Sequence, residues 1–303
     1  MLPERVVVTG GNGFVGSHLT RMLLEQSIEV ISIDCEPSDN PCSGVEYLIQ
    51  DLQGISNQQL QHILKGATLV HLAAISSSPA CEENPNLAID VNINLILKLI
   101  KNANISNSPI IFASSEWVYP DLATPRELSE NFPIELTNQT NLYSMSKIVG
   151  EWMVKRYCLN FQILRFGIVY GEREIQQSAI EKVIFDAVSY SKVQVGSFLT
   201  ARRFIHIEDL CAGIIQSLNM KSPNSILNLS GEKLATLKEI IYEYEGLFNL
   251  QIEKSETGQI PSIRNPVPFS FFSIHNWKPK IQLREGVLRL ANFYMANQKG
   301  ENR

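Results

Sequence analysis

Apolar residues along this chain recur with two periods, and their alternation lays out the first half of the molecule. Val6, Val7 and Val8 form an unbroken β-branched run, as in a strand buried on both faces of a parallel sheet. A glycine-rich turn follows, and then Leu19, Met22 and Leu23 recur at helical spacing. Further strands are expected at Glu29–Asp34, Val45–Ile49, 69–72 and 110–112. Between them, residues 58–64 and 86–103 carry helical patterns, the second through Leu87, Val91, Leu95 and Leu99.

Composition narrows the class without changing that outline. With 303 residues the chain is long enough for a large core and two lobes of unequal size. A net charge of −5, with no long basic run, argues against nucleic acid or an anionic membrane surface as partner. No apolar stretch reaches the length of a membrane span, and MLPERVVVTG leads into the first strand without a signal peptide. Cys35, Cys42, Cys81, Cys158 and Cys211 are odd in number and scattered, with no metal-like pairing. They read as reduced thiols of a cytoplasmic protein.

Chemistry concentrates at strand ends. Gly10, Gly13 and Gly16 lie between a strand and a helix. Backbone N–H groups there, those of Phe14 and Val15 included, point with the helix dipole at a phosphate, and glycines let a pyrophosphate approach. Asp34 ends the second strand, about 20 residues on, where a carboxylate accepts both ribose hydroxyls of an adenosine and repels a 2′-phosphate. This favours NAD over NADP. Asp51 and Leu52 stand where they would border the adenine, although Asp51 also reads as a plain helix-entry residue. Ala73 and Ala74 leave room for the cofactor, His71 reads as a core histidine, and Asn92 is placed to brace the active-site backbone. Ser114, Ser115 and Glu116 follow the fifth strand, at the sheet edge where open α/β proteins keep their chemistry. Tyr143 and Lys147 are four apart on a helical pattern and so share a face. An ammonium beside a phenol favours the phenolate, which predicts a lowered tyrosine pKa and a general base.

The segments TGGNGFVG, Asp34, HLAA, SSEWVY and YSMSK, in this order, resemble the extended short-chain dehydrogenase/reductase family, closest to its nucleotide-sugar epimerases and dehydratases. LRFGIVYGER, RRFIHIEDL, ILNLSGE and WKPKIQLREGV extend the likeness over nearly the whole chain. The resemblance implies an α/β fold: a doubly wound parallel (Rossmann) sheet for NAD over residues 1–170, with 202–220 returning to it. A smaller, mostly C-terminal substrate lobe then spans 171–303. It also implies a catalytic set of Ser115, Tyr143 and Lys147, with Lys147 holding the nicotinamide ribose as well. Arg202 and Arg264 fall at positions that grip the substrate diphosphate, and Glu116 lies beside the sugar. A homodimer is implied too.

This chain departs from the family pattern at Ile168 (often Asn), Arg203 (usually Asp), Pro120 (commonly Gly) and a shortened FSFFSIHNWKP segment. The expected activity is an NAD-dependent nucleotide-sugar epimerase working by transient oxidation of a sugar hydroxyl, as in 4-epimerases. A dehydratase or ketoreductase is the alternative within the family, and a non-catalytic NAD-binding sensor or scaffold the alternative outside it. The dehydratases this chain resembles carry ionisable side chains after the Ser/Thr, often Asp then Glu. Here Glu116 and Trp117 stand there, and Trp117 cannot take a proton.

Overall fold

The computed structural model describes residues 2–138 and 141–301. Its first half alternates strands and helices: β1 (Arg5–Thr9), α1 (Phe14–Glu25), β2 (Glu29–Asp34), β3 (Val45–Ile49), α2 (Asn57–Leu64) and β4 (Ala67–His71). Next come α3 (Ser78–Glu83), α4 (Pro85–Ile89), a π-helical segment (Asp90–Asn94), α5 (Leu95–Ser106) and β5 (Ile110–Ser115). The helix α6 (Leu142–Tyr157) and β6 (Phe161–Phe166) complete this half. The second half holds β7 (Ile168–Tyr170), α7 (Ala179–Tyr190), β8 (Lys192–Val195), β9 (Ala201–Arg202), β10 (Phe204–His206) and α8 (Ile207–Ser217). It ends with β11 (Ser225–Leu229), β12 (Ala235–Thr236), α9 (Leu237–Phe248), β13 (Glu253–Glu256), α10 (Phe269–His275) and α11 (Leu283–Glu301).

One seven-stranded sheet runs in the order β11-β6-β5-β4-β1-β2-β3, and each of its pairings is parallel. The chain starts at β1 and winds outward in both directions, so a crevice opens between β1 and β4 at the carboxyl ends of the strands. Side-chain alternation divides the valine run between two cores. Val6 and Val8 pack with Leu19, Leu23 and Ile214 on one face; Val7 packs with Leu69, Leu99, Ile100 and Phe112 on the other. Each such aliphatic side chain, fully buried, contributes about 1.5–3 kcal/mol. The seventh strand, β11, lies beyond the 202–220 segment expected to return to this sheet, and α10 packs against it.

Helices α7, α9 and α11 form a separate packing unit around Ile180, Ile184, Ile240, Ile241, Val287 and Leu290. Short pairings β8–β13 and β9–β12 tie this lobe together. The helix expected over 86–103 is interrupted at the π-helical segment. All five cysteines are free thiols. Among the described residues, no helix is long and apolar enough to cross a membrane.

Candidate active site

The loop after β1 is shaped by steric demand. Gly10 has φ +70, a left-handed conformation that favours glycine, and a Cβ there would meet the Ala73 amide nitrogen at 2.7 Å. A Cβ on Gly16 would lie 2.2 Å from the Gly10 carbonyl oxygen, so α1 can approach the loop only with glycine at that place. Gly13 differs. Its Cβ would touch only the Gly10 oxygen, at 3.5 Å, and it caps α1 with no side-chain hydrogen bond. The first amides of α1, those of Phe14 and Val15, therefore face an open side without an intrahelical partner. That cradle fits a pyrophosphate.

Asp34 stands at the rim of the same loop. Its Oδ2 accepts from the Asn12 amide at 3.0 Å and its Oδ1 from the Glu36 amide at 3.2 Å. The carboxylate is oriented by backbone, with lone pairs left for two hydroxyl donors. The two residues expected to border an adenine lie just past β3. Asp51 is exposed and accepts from the Gln53 amide in its own turn, at 2.9 Å, while Leu52 is buried in the core with Ile55 and Leu60.

His71 is a core residue: it is buried, bonds Thr9 Oγ1 through Nδ1 at 2.7 Å, and desolvation pushes its pKa down to about 3. The π-helical segment has a purpose that periodicity alone did not reveal. It turns Asn92 inward, where Oδ1 accepts from the Ile75 amide at 2.8 Å and Nδ2 donates to the Ile75 carbonyl at 3.0 Å and Ser146 Oγ at 3.1 Å. Asn92 thus clamps the chain leaving β4 to helix α6.

Ser115 ends β5 and hydrogen-bonds Tyr143, which α6 carries on the facing side. Asn141 caps α6 by accepting from the Ser144 amide at 2.9 Å, which fixes the first turn and with it Tyr143. Lys147, one turn on, is buried and donates to the Ala113 carbonyl at 2.9 Å, with Nζ 5.8 Å from the Tyr143 ring centroid. The expected lowering of the tyrosine pKa by this lysine is not found. Burial pushes the Tyr143 phenol up to about 12, against a lowering by the Ser115 hydrogen bond. Burial likewise pushes Lys147 down to about 8, with Cys81 and Glu151 acting the other way. Sequence spacing put ammonium and phenol on one face, but burial is the largest influence on both groups.

Beyond Ser115, a short 3₁₀ turn (Glu116–Val118) leads to a compact group of charges. Glu116 is fully buried, and its Oε1 lies 3.0 Å from Arg202 Nε without the alignment of a hydrogen bond. Desolvation pushes its carboxyl up to about 7, against the field of Arg202 and Arg264. Both arginines are buried and converge as expected, but on carboxylates. Asp121 Oδ2 lies 2.9 Å from Arg264 Nη2, and its Oδ1 lies 3.5 Å from Arg202 Nη2. The Arg264 guanidinium also covers Trp117, 4.3 Å from the ring centroid.

Sequence reasoning missed Asp121 and Ser262, whose hydroxyl donates to Asp121 Oδ1, because no motif or period connects positions so far apart. It also missed Glu151, which takes both Arg165 Nε at 2.8 Å and Nη2 at 2.7 Å, and Ser114 Oγ at 2.5 Å. The signal was there: Glu151 lies four residues past Lys147 on the same helix.

The sequence model of the NAD dependent epimerase/dehydratase family matches residues 6–230. The chain belongs to that family. Across almost its whole length it is similar to a Methanocaldococcus jannaschii protein provisionally named as a UDP-glucose 4-epimerase, with 28% identity over 313 residues, covering 97% of this chain and 99% of that one. It is also 26% identical over 253 residues to methionine adenosyltransferase 2 subunit beta of Rattus norvegicus, covering 82% of this chain and 73% of that one. Among solved structures, the UDP-glucuronic acid 4-epimerase of Bacillus cereus, in complex with UDP-glucuronic acid and NAD, superposes with a TM-score of 0.83. Its sequence identity is 21%, covering 97% of this chain and 99% of that one, a likeness of fold. As an epimerase/dehydratase family enzyme the chain is NAD-dependent, and the open Gly13 side of the loop fits that cofactor.

Proposed function

We propose that this enzyme epimerises a nucleoside diphosphate sugar, at carbon 4 and with uridine as the base, through transient oxidation of the sugar hydroxyl. The observation that carries the reading is the Ser115–Tyr143 hydrogen bond, with Lys147 one helical turn away, at the carboxyl edge of the sheet beside the glycine loop. A UDP-sugar substrate and the 4-position draw their support from the names of the Methanocaldococcus jannaschii and Bacillus cereus proteins.

In this reading Gly10, Gly13, Gly16 and the α1 amides hold the NAD pyrophosphate, and Asp34 holds the adenosine ribose. NAD, when bound, supplies the two-electron acceptor and donor and a positive charge beside the phenol. Tyr143 takes the proton of the sugar hydroxyl as the carbonyl forms, and Ser115 donates a hydrogen bond to the carbonyl oxygen. Lys147 holds the nicotinamide ribose and keeps a positive charge near the proton acceptor. Once the sugar has turned its other face, return of the proton from Tyr143, with the hydride that bound NAD would give back to the same carbon, leaves an epimer of unchanged mass. Arg202 and Arg264 hold the diphosphate by charge-assisted bonds.

The protein then works as a homodimer. Met145 and Trp152 on α6, and Leu97 and Ile105 on the adjacent α5, expose 40%, 56%, 44% and 59% of their surface. A second copy would cover that apolar face. One further observation favours a second reading: a relative is named as the beta subunit of methionine adenosyltransferase, so the fold also serves in a subunit of another enzyme. Incubation with UDP-, dTDP-, GDP- and CDP-sugars, followed by product analysis, tests both readings. An epimer from the UDP-sugar supports the first, and complete inertness with retained NAD binding supports the second.

A further inference from the structure

Arg202 already spends its donors within the protein, and Arg264 spends two of its nitrogens there. Arg202 directs Nη1 at the carbonyls of Ala201 and Ser262, Nη2 at Asp121 and the Ser262 hydroxyl, and Nε towards Glu116. Arg264 gives Nε to the Tyr119 carbonyl at 3.2 Å and Nη2 to Asp121 at 2.9 Å, and its guanidinium carbon lies 4.3 Å from the Trp117 ring centroid. Only its buried Nη1 lacks a partner among the described residues. Asp121 is the group that bonds both guanidinium groups, while Glu116 lies beside Arg202 alone. A diphosphate docking beside this arrangement would find both cations already paired with the Asp121 carboxylate.

One member of the group is able to leave. Glu116 is fully buried, whereas the Asp121 side chain is 49% exposed and reaches the arginines from the irregular segment after β5. We propose that Asp121 is an internal stand-in for the substrate diphosphate: it bridges Arg202 and Arg264, and must be displaced before a nucleotide sugar can bind. Glu116 stays in place and keeps Arg202 aimed. Asp121 thereby sets the affinity of the site, since a ligand must outcompete a carboxylate already paired with both cations. A diphosphate, with two negative groups against one, meets that demand. This inference rests on the diphosphate reading of the two arginines.

Calorimetric titration with UDP tests it on the full chain, comparing the wild type with Asp121→Asn, Ser262→Ala and Arg202→Ala. NAD titration of each variant checks that the fold is kept. Asp121→Asn removes the competing charge, and Ser262→Ala removes the hydroxyl that steadies it. Both should bind UDP more tightly, the first by about tenfold or more, as loss of a charge-assisted contact to be broken requires. Arg202→Ala should lose UDP binding. Unchanged or weaker UDP binding by Asp121→Asn, with Arg202→Ala impaired, overturns the stand-in while leaving the diphosphate reading intact. UDP binding unaffected by Arg202→Ala, or UDP binding by none of the proteins, overturns both.

Discussion

Replacing Glu116 with Gln should change how the stability of this protein depends on pH. Glu116 is buried against Arg202, with Arg264 and Asp121 nearby, and desolvation raises its carboxyl from 4.5 to about 7 despite the two arginines. Below pH 4.5 the group is protonated in both folded and unfolded chains and has no influence on the balance. Between 4.5 and 7 the unfolded chain releases its proton while the folded one retains it, so stability falls as pH rises. Above 7 the penalty is constant. The gap from 4.5 to about 7 corresponds to about 3 kcal/mol. Gln keeps the shape and one oxygen acceptor but cannot titrate. Urea unfolding at pH 5 and pH 8, on both proteins, isolates the group, because every other titration is common to the pair. The wild type should lose about 2–3 kcal/mol more than the variant over that interval. Parallel stability curves would refute the reasoning and mean that the arginines hold Glu116 ionised throughout.

Three further outcomes follow from the site. Tyr143→Phe should lower turnover by about two to four orders of magnitude with NAD affinity unchanged, as rapid-quench and binding assays would report; near-normal turnover would exclude Tyr143 as the proton acceptor. Asp34→Ala should weaken NAD binding by roughly 1.5–3 kcal/mol and narrow the preference over NADP, measured by fluorescence titration. Trp152→Glu should shift sedimentation from the proposed dimer to monomer, since it sets a charge in the exposed apolar face that a second copy would cover.

What could be read from the sequence was local in the chain. The glycine loop, the acid ending β2 and the pair four residues apart on α6 are each set by backbone geometry within one or two elements. The bounds expected for β2 and β3 coincide with those found. What was not legible depends on tertiary placement. The π-helical segment inserts one residue's worth of rotation to serve Ile75 and Ser146, a demand made by other elements. The Tyr143 pKa goes opposite to expectation because burial, invisible in spacing, is its largest influence.

The same placement bears on which reaction the site can run. After oxidation at carbon 4, a 4,6-dehydratase must take a proton from carbon 5 and give one to the hydroxyl leaving carbon 6. Glu116 and Trp117 occupy the places where the dehydratases this chain resembles carry ionisable groups. Trp117 has no proton acceptor, and its ring is covered by the Arg264 guanidinium at 4.3 Å. Glu116 has the pKa of a usable acid, pushed up to about 7, but both its oxygens are inaccessible and Oε1 lies 3.0 Å from Arg202 Nε. To protonate a leaving hydroxyl it would have to turn out of its fully buried place beside Arg202. Epimerisation makes no such demand, since Tyr143 and Ser115 handle the only proton that moves. Mass spectrometry of a nucleotide hexose after incubation therefore separates the two: unchanged mass is the expected result. A product lighter by one water would require Glu116 to swing free, and Glu116→Gln would then abolish that product while sparing oxidation at carbon 4.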